Sequence, residues 1–232
     1  MLDIEQYKKR IFSMSQDEHE SIFEELAIQA FDFQRENCPI YREYLRLVNS
    51  ENIFPTSIKE IPFLPISVFK NKMVVSSVKP FEDENEFLQL PNSKIFTSSA
   101  TSSMQPSRHF VCDLKLYEES FLRGFEQVYG DIEKYNILAL LPSYLERKGS
   151  SLVYMVNYLI DRVIQGGGEG GFYLYNHDDL LKKLIKLNST DSSDKRKTIL
   201  FGVSFALLDF GDFVEQHCGE NSSIHKIMSL FV

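Results

Sequence analysis

Tryptophan is absent from the 232 residues, and cysteine is scarce. The three cysteines, Cys38, Cys112 and Cys218, lie far apart. An odd, scattered set fits reduced thiols better than a disulfide framework. No Cys-x-x-Cys and no His-x-x-x-His occurs, so no structural zinc or other metal site is expected. Long apolar runs are missing too. The longest are about five to seven residues, against the ~20 needed to span a bilayer. The opening Met1-Leu2-Asp3-Ile4-Glu5 has no basic stretch leading into an apolar core. The reading is therefore a cytoplasmic protein without a secretory signal or membrane span. Positive charge is also short: the formal net charge is −8, and the one basic run, Lys195-Arg196-Lys197, is preceded by Asp191 and Asp194. Nucleic acid would meet a mostly repulsive field and is not an expected partner.

What is there suffices for a substantial core, with apolar residues making up 43% of the chain. The first third reads as helix. Ser15 and Glu18 fit a capping box, and Ile22, Phe23, Leu26, Ala27, Ala30 and Phe31 follow the spacing of one apolar face. Asn37-Cys38-Pro39 ends that helix, and a short second one is predicted around Tyr41 to Val48. Residues 53–91 hold five of the eight prolines, which predicts extended segments and turns, with Met73-Val74-Val75 as a strand and Glu82 to Glu86 as a solvated acidic loop. From residue 94 the pattern changes. Lys94 to Thr97 and His109 to Cys112 are candidate strands around a polar loop. Asp113 is placed to cap a helix with Leu114, Tyr117, Phe121, Phe125 and Val128 on one face, closed by Gly130.

Strand and helix then alternate. Ile137 to Leu141 is an unbroken apolar run, as in a strand buried on both faces. Leu152 to Val163 has helical spacing, Phe172 to Tyr175 is a predicted strand, Asn176 caps a helix with Leu180, Leu181 and Leu184, and Thr198 to Val203 is a third buried strand. The expected fold is α/β: a single region over 1–232, with a helical lead-in over 1–50 and a largely parallel sheet with flanking helices over 94–232. A last strand is predicted in Ile224 to Val232. With no partner element after it, the chain is expected to be the N-terminal portion of a larger protein.

The chemistry concentrates between Thr97 and His109. Six of the seven residues Thr97-Ser98-Ser99-Ala100-Thr101-Ser102-Ser103 carry hydroxyls, followed by Met104-Gln105-Pro106-Ser107-Arg108-His109. Converging amides and hydroxyls can hold phosphate groups. A polar connecting turn explains the same composition, and the loop lacks the glycines that let a backbone approach a ligand closely.

This segment resembles the Ser-Ser-Gly-Thr-Thr-Gly-x-x-Pro-Ser-Arg-His signature of the LuxE-like acyl-protein synthetases, relatives of phenylacetate–CoA ligase in the adenylate-forming superfamily. It aligns without gaps from Ser98 to His109. Ala100 and Ser103 stand where the signature has glycine, and Ser102 where it has threonine. Ile61 to Lys70, Tyr117 to Phe121, Leu140 to Met155, Gly171 to Leu174 and Gly202 to Phe210 resemble further blocks, so the similarity covers roughly residues 55–215.

The resemblance implies the N-terminal domain fold of adenylate-forming enzymes, and ATP-dependent activation of a fatty or other carboxylic acid as an acyl-adenylate. The acyl group then passes to a thiol acceptor. ATP and Mg2+ are the implied cofactors. Ser98, Ser99, Thr101, Ser102, Ser103 and Arg108 would bind the phosphates. His109, Tyr144, Glu146 and Arg147 are candidate substrate-pocket residues, the last three following a strand's C-terminal end, where open α/β sheets place ligands. No catalytic residue is assigned. The family's Tyr-Gly-x-Thr-Glu element, ribose-binding Asp and C-terminal lid have no counterpart in the sequence. Their absence, with the missing loop glycines, supports an alternative: a non-catalytic acyl- or nucleotide-binding remnant.

Two other motifs carry weaker signals. Gly202-Val203-Ser204-Phe205-Ala206 resembles a nucleophile elbow, so a serine acyltransferase using Ser204 is a second alternative. Only 28 residues follow Ser204 to supply partners, and a helix start accounts for it as well. Gly166-Gly167-Gly168-Glu169-Gly170-Gly171 lacks the Lys-Ser/Thr ending of a P-loop and reads as a flexible surface loop.

Overall fold

A computed structural model describes residues 4–13, 19–98, 105–143, 146–189 and 196–218. The chain divides into two compact units, Met1–Arg123 and Gly124–Val232. Together they give the expected α/β class: a helical lead-in, then a parallel sheet flanked by helices.

The first unit begins with α1 (Ile4–Ser13), α2 (His19–Asn37) and α3 (Pro39–Leu47). Pro39 opens α3 at its first turn, where a missing amide proton costs nothing. Ser15, the expected cap of α2, lies outside the described residues. Phe31, Cys38, Tyr41, Leu45 and Ile61 form a small core. The Tyr41 hydroxyl donates to the Pro62 carbonyl at 2.9 Å. Burial, with Tyr44 and Cys38 adding to it, pushes the Tyr41 phenol up to about 12. That bond ties the proline-rich segment to the helices. The segment then forms the short α4 (Val68–Asn71) and α5 (Glu84–Leu88).

Two sequence expectations fail here. Met73 to Val75 is no strand: Val74 packs onto the Phe31 core and Val75 is buried. Their apolar character reflects burial without a ladder. Residues Glu82 to Glu86 are not a plain loop either. Asp83 caps α5 by accepting from the Glu86 amide at 2.9 Å, and the Glu86 carboxylate accepts from the Glu82 amide at 2.7 Å. Acidic side chains at a helix start satisfy its free amides.

β1 (Lys94–Thr97) and β2 (Arg108–Val111) pair antiparallel, Phe96 opposite His109 and Thr97 opposite Arg108. α6 (Leu114–Tyr129) follows and crosses the division between the units. Asp113 accepts from the Lys115 amide at 3.1 Å, as expected of a cap. Gly130 closes the helix at φ +83°, a left-handed conformation that suits glycine. Of the expected apolar face, Phe125 is buried and Val128 is exposed.

In the second unit β3 (Tyr135–Leu140) is buried along its whole length and lies between β4 (Gly170–Phe172) and β5 (Lys197–Gly202), all parallel. Leu138 and Leu140 pack with α8 (His177–Ser189) and α9 (Ser204–Cys218). α7 (Ser151–Gln165) packs on β3 and β4. Stepping to β4 on one side and then across to β5 places successive helices on opposite faces, because such crossovers are right-handed.

The glycine run departs from expectation. Strand β4 starts at Gly170, two residues before the predicted Phe172, and the run is packed. A Cβ on Gly168 would lie 2.6 Å from Val163 Cγ1 and 2.7 Å from the Tyr135 carbonyl. On Gly170 it would lie 2.9 Å from Ile160 Cγ2. These glycines let a strand and a helix approach one another closely. The predicted strand in Ile224 to Val232 lies outside the described residues.

Candidate functional site

The hydroxyl-rich segment connects β1 to β2. Residues 99–104, among them Ser99, Thr101, Ser102 and Ser103, lie outside the described residues, but both ends of the connection are defined. Ser98 N donates to the Ser107 carbonyl at 3.0 Å. Ser107 N donates to Ser98 Oγ at 2.9 Å. These bonds close a neck across which the strands face each other. Ser98 Oγ is the acceptor in this second bond.

Alternation along the hairpin sorts its residues between two faces. Ser107, His109 and Phe96 share one. Ser107 is buried, and its hydroxyl lies 3.1 Å from His109 Nε2. His109 is exposed, and its ring stacks on Phe69 of α4, centroids 5.2 Å apart and planes at 24°. Phe96 packs on Tyr117 of α6 at 5.5 Å. On the other face Arg108 lies over Phe110, 5.1 Å from the ring centroid, and forms an ion pair with Glu84 of α5. Phe110 meets Phe87 edge-on at 5.2 Å. The hairpin is thus held between α4 and α6 on one side and α5 on the other.

Of the sequence candidates in this unit, Ser98 and His109 therefore stand at the neck, joined through Ser107. Arg108 is beside the neck with its charge already matched by a carboxylate. Phe69 and Glu84 were not singled out by the sequence, and Ser107 only as one residue of the Ser98 to His109 match, without a site role. The contacts that reveal Phe69 and Glu84 reach His109 and Arg108 from distant segments, which local patterning cannot report.

Glu146 and Arg147 belong to the second unit, in the connection from β3 to α7, with Tyr144 outside the described residues. Glu146 is exposed and folds back to accept from the Ser143 amide at 2.6 Å, while the Arg147 amide donates to the Ser143 carbonyl at 3.2 Å. Ser150 caps α7 by accepting from the Val153 amide at 3.3 Å. This connection sits at the C-terminal end of the central strand, where the chain's windings diverge. Doubly wound sheets bind ligands at that position. Ser204 is the first residue of α9 and is exposed, with Val203 accepting from Leu207 N at 3.1 Å. Among the described residues no histidine or acid hydrogen-bonds to it.

A cavity of about 810 Å3 lies elsewhere in the first unit, lined among others by Lys8, Phe12, Cys112, Asp113, Leu116 and Arg123, and by none of the sequence candidates. Lys8 Nζ meets Asp113 Oδ2 at 2.6 Å. Burial opposes ionisation of Asp113, yet the Lys8 hydrogen bond and charge and the Leu116 and Lys115 amides hold it below the usual range. Burial pushes the Cys112 thiol up, which disfavours the reactive thiolate. Among the described residues no group of three or more His, Cys, Asp and Glu is placed to hold a metal ion, and no helix is long and apolar enough to cross a membrane.

A parallel α/β unit joined to a helical unit that carries a hydroxyl-rich hairpin connection defines a class of architecture, and comparison supplies the family. The family model described as "Acyl-protein synthetase, LuxE" matches residues 2–134. The chain belongs to the LuxE acyl-protein synthetase family. The match covers the whole hairpin and reaches nearer the N-terminus than the resemblance over residues 55–215. It ends before the Leu140–Met155, Gly171–Leu174 and Gly202–Phe210 blocks. No curated protein and no solved structure matches the chain.

Proposed function

We propose that the chain takes part in ATP-dependent activation of a carboxylic acid, a fatty acid in the first instance, and that the Ser98–Ser107 connection binds the nucleotide's phosphates. The observation behind this reading is the closed neck: a hydroxyl-dense connection held between two paired strands in a member of an acyl-protein synthetase family. In the reaction the substrate carboxylate oxygen attacks the α-phosphorus. The bond from that phosphorus to the bridging oxygen breaks, and pyrophosphate leaves with the electron pair. A thiolate acceptor then attacks the acyl carbon and releases AMP. Loop amides and hydroxyls, Ser98 Oγ–H among them, would hold the charge gathering on the departing phosphates, which is the usual work of preplaced donors. Mg2+ would enter with the phosphates, whose oxygens supply most of its ligands in such sites. The adenylate-forming superfamily relation belongs to this same reading.

The test is acid-dependent ATP–pyrophosphate exchange with a panel of fatty and shorter acids. Exchange is expected with at least one acid, and none across the panel would end the enzymatic reading. A second reading is favoured by Ala100 and Ser103 standing in for glycine: a binding protein without turnover. Thermal stabilisation by ATP or a fatty acid without exchange is its signature. Ala100→Gly with Ser103→Gly is expected to tighten ATP binding about three- to tenfold, since each removed side chain lets the backbone approach closer. No gain in calorimetric affinity would mean the loop holds no phosphate.

A further inference from the structure

We propose that the cavity between α1 and α6 binds an organic anion: a carboxylate or phosphate head carried on an apolar body. The proposal does not depend on the nucleotide reading above.

The lining comes from α1, from the first half of α6, and from the Pro91–Asn92 and Cys112–Asp113 turns, all within the first unit. Its volume of about 810 Å3 is ample for a small metabolite. Three carboxylates line it, and each is already matched. Glu5 and Asp113 both pair with Lys8, at 3.3 and 2.6 Å. Glu119 pairs with Arg123 at 2.8 Å, and the Arg123 guanidinium lies 4.9 Å from the Phe12 ring centroid.

Two more cations line the cavity, Lys9 of α1 and Lys115 of α6. Both are exposed, and among the described residues neither has a carboxylate partner. The lining therefore holds four cations against three carboxylates, in a chain of formal charge −8. Two ammonium groups facing one space repel each other, and an anion between them turns that repulsion into attraction. A cationic ligand would find no uncommitted carboxylate on this lining. Phe12 and Leu116, both half-buried, and the exposed Pro91 ring supply apolar surface beside the charges. A few charged groups next to apolar surface is the make-up of a site for an anion with a hydrocarbon or planar body.

The site is distinct from the hydroxyl-rich connection. β2 runs from Arg108, at the neck, to Val111, and the cavity begins beyond it at Cys112. Four residues of extended chain put about 13 Å between them.

The experiment uses the full chain with octanoate, octyl phosphate, inorganic phosphate and octanol as probes, without ATP. Amine acetylation followed by mass spectrometry reads each lysine separately. Lys79, whose side chain is 80% exposed and which does not line the cavity, is the internal control. Octanoate or octyl phosphate near saturation should slow labelling of Lys9 and Lys115 by about fivefold or more, by mass action, and leave Lys79 unchanged. The two probes separate a carboxylate head from a phosphate head. Octanol should protect neither lysine. Lys9→Gln with Lys115→Gln should weaken calorimetric binding of the better probe about fivefold, two exposed charge contacts being lost. The unfolding temperature should hold, because neither lysine has a partner to lose. Unprotected lysines with both octyl probes overturn the site, and so does binding of unchanged strength in the double variant. Protection by inorganic phosphate as strong as by octyl phosphate overturns the apolar body.

Discussion

The neck of the hairpin and the C-terminal edge of the parallel sheet are built from similar residues put to different use. At the sheet edge the polar side chains look after their own turn: Glu146 accepts from Ser143 three residues back, Ser150 from Val153, and Asn176 from the Asp179 amide at 3.2 Å. At the neck they reach across the fold: Ser98 to Ser107, Ser107 and His109 to Phe69 of α4, Arg108 to Glu84 of α5. Local caps form wherever a helix begins and carry little information about function. A polar network assembled from distant elements around one loop is harder to obtain by accident, and that is the argument for the hairpin as the site.

The sharpest contrast should appear in stability. β3 is fully buried, so Leu138→Ala is expected to cost about 2–5 kcal/mol through lost burial and a residual cavity. Denaturant unfolding would measure it, and a cost below 1 kcal/mol would mean the sheet core is looser than its burial implies. Gly168→Ala comes next. Its Cβ would collide with the Tyr135 carbonyl as well as with Val163, and a backbone atom yields less than a side chain. A loss of about 1–3 kcal/mol is expected, whereas a flexible surface loop would give none. Neither change lies in the hairpin.

Much of this second unit was legible in the sequence, for a physical reason. A strand buried on both faces must be apolar at every position, and Ile137 to Leu141 announces itself. An amphipathic helix needs helical spacing, and Leu152 to Val163 has it. β4 was misplaced because Gly170 and Gly171 have no side chains to register a pattern. At Gly170 the need for glycine comes from Ile160 and the Ile137 carbonyl, which only the folded chain brings near. The hairpin strands were legible within a residue, and the hydroxyl loop between them. What holds the neck was not. Arg108 looked like a free cation for phosphate, and nothing near it in sequence suggested that Glu84, 24 residues away, would take it.

That pairing can be tested directly. The two side chains are 37% and 44% exposed, so the pair contributes only about 0–1 kcal/mol. Glu84→Gln should therefore leave stability almost unchanged while releasing Arg108. If Arg108 can turn toward the loop, ATP or pyrophosphate should bind about two- to fivefold more tightly, with a steeper salt dependence. Unaltered binding would assign Arg108 to holding α5 against the hairpin and remove it from the phosphate set.

The smallest effect belongs to the sheet's own ion cluster and marks what a purely structural pair should do. Glu169 pairs with Lys183 and lies 3.5 Å from Lys186. The hydrogen bond from Lys183 comes first among the causes that hold its carboxyl below the ordinary 4.5, with burial opposing and the charges of Lys183 and Lys186 assisting. A carboxyl lowered by folding stabilises the folded state when ionised. The contribution is complete above about pH 4.5, the ordinary value of the carboxyl, and disappears as pH falls through the lowered folded value. With Glu169 partly open to solvent, the gain is on the order of 0.5 kcal/mol. Glu169→Gln should thus lower the unfolding temperature slightly at neutral pH, and the difference should close in acid. A difference that persists once the carboxyl is protonated would locate the effect of Glu169 in packing rather than charge. Because the pair belongs to the second unit and the hairpin neck to the first, the same variant should leave ATP affinity as it is. A loss of affinity would break the separation between the sheet's caps and ion pairs, which serve the fold, and the hairpin neck, which serves the ligand.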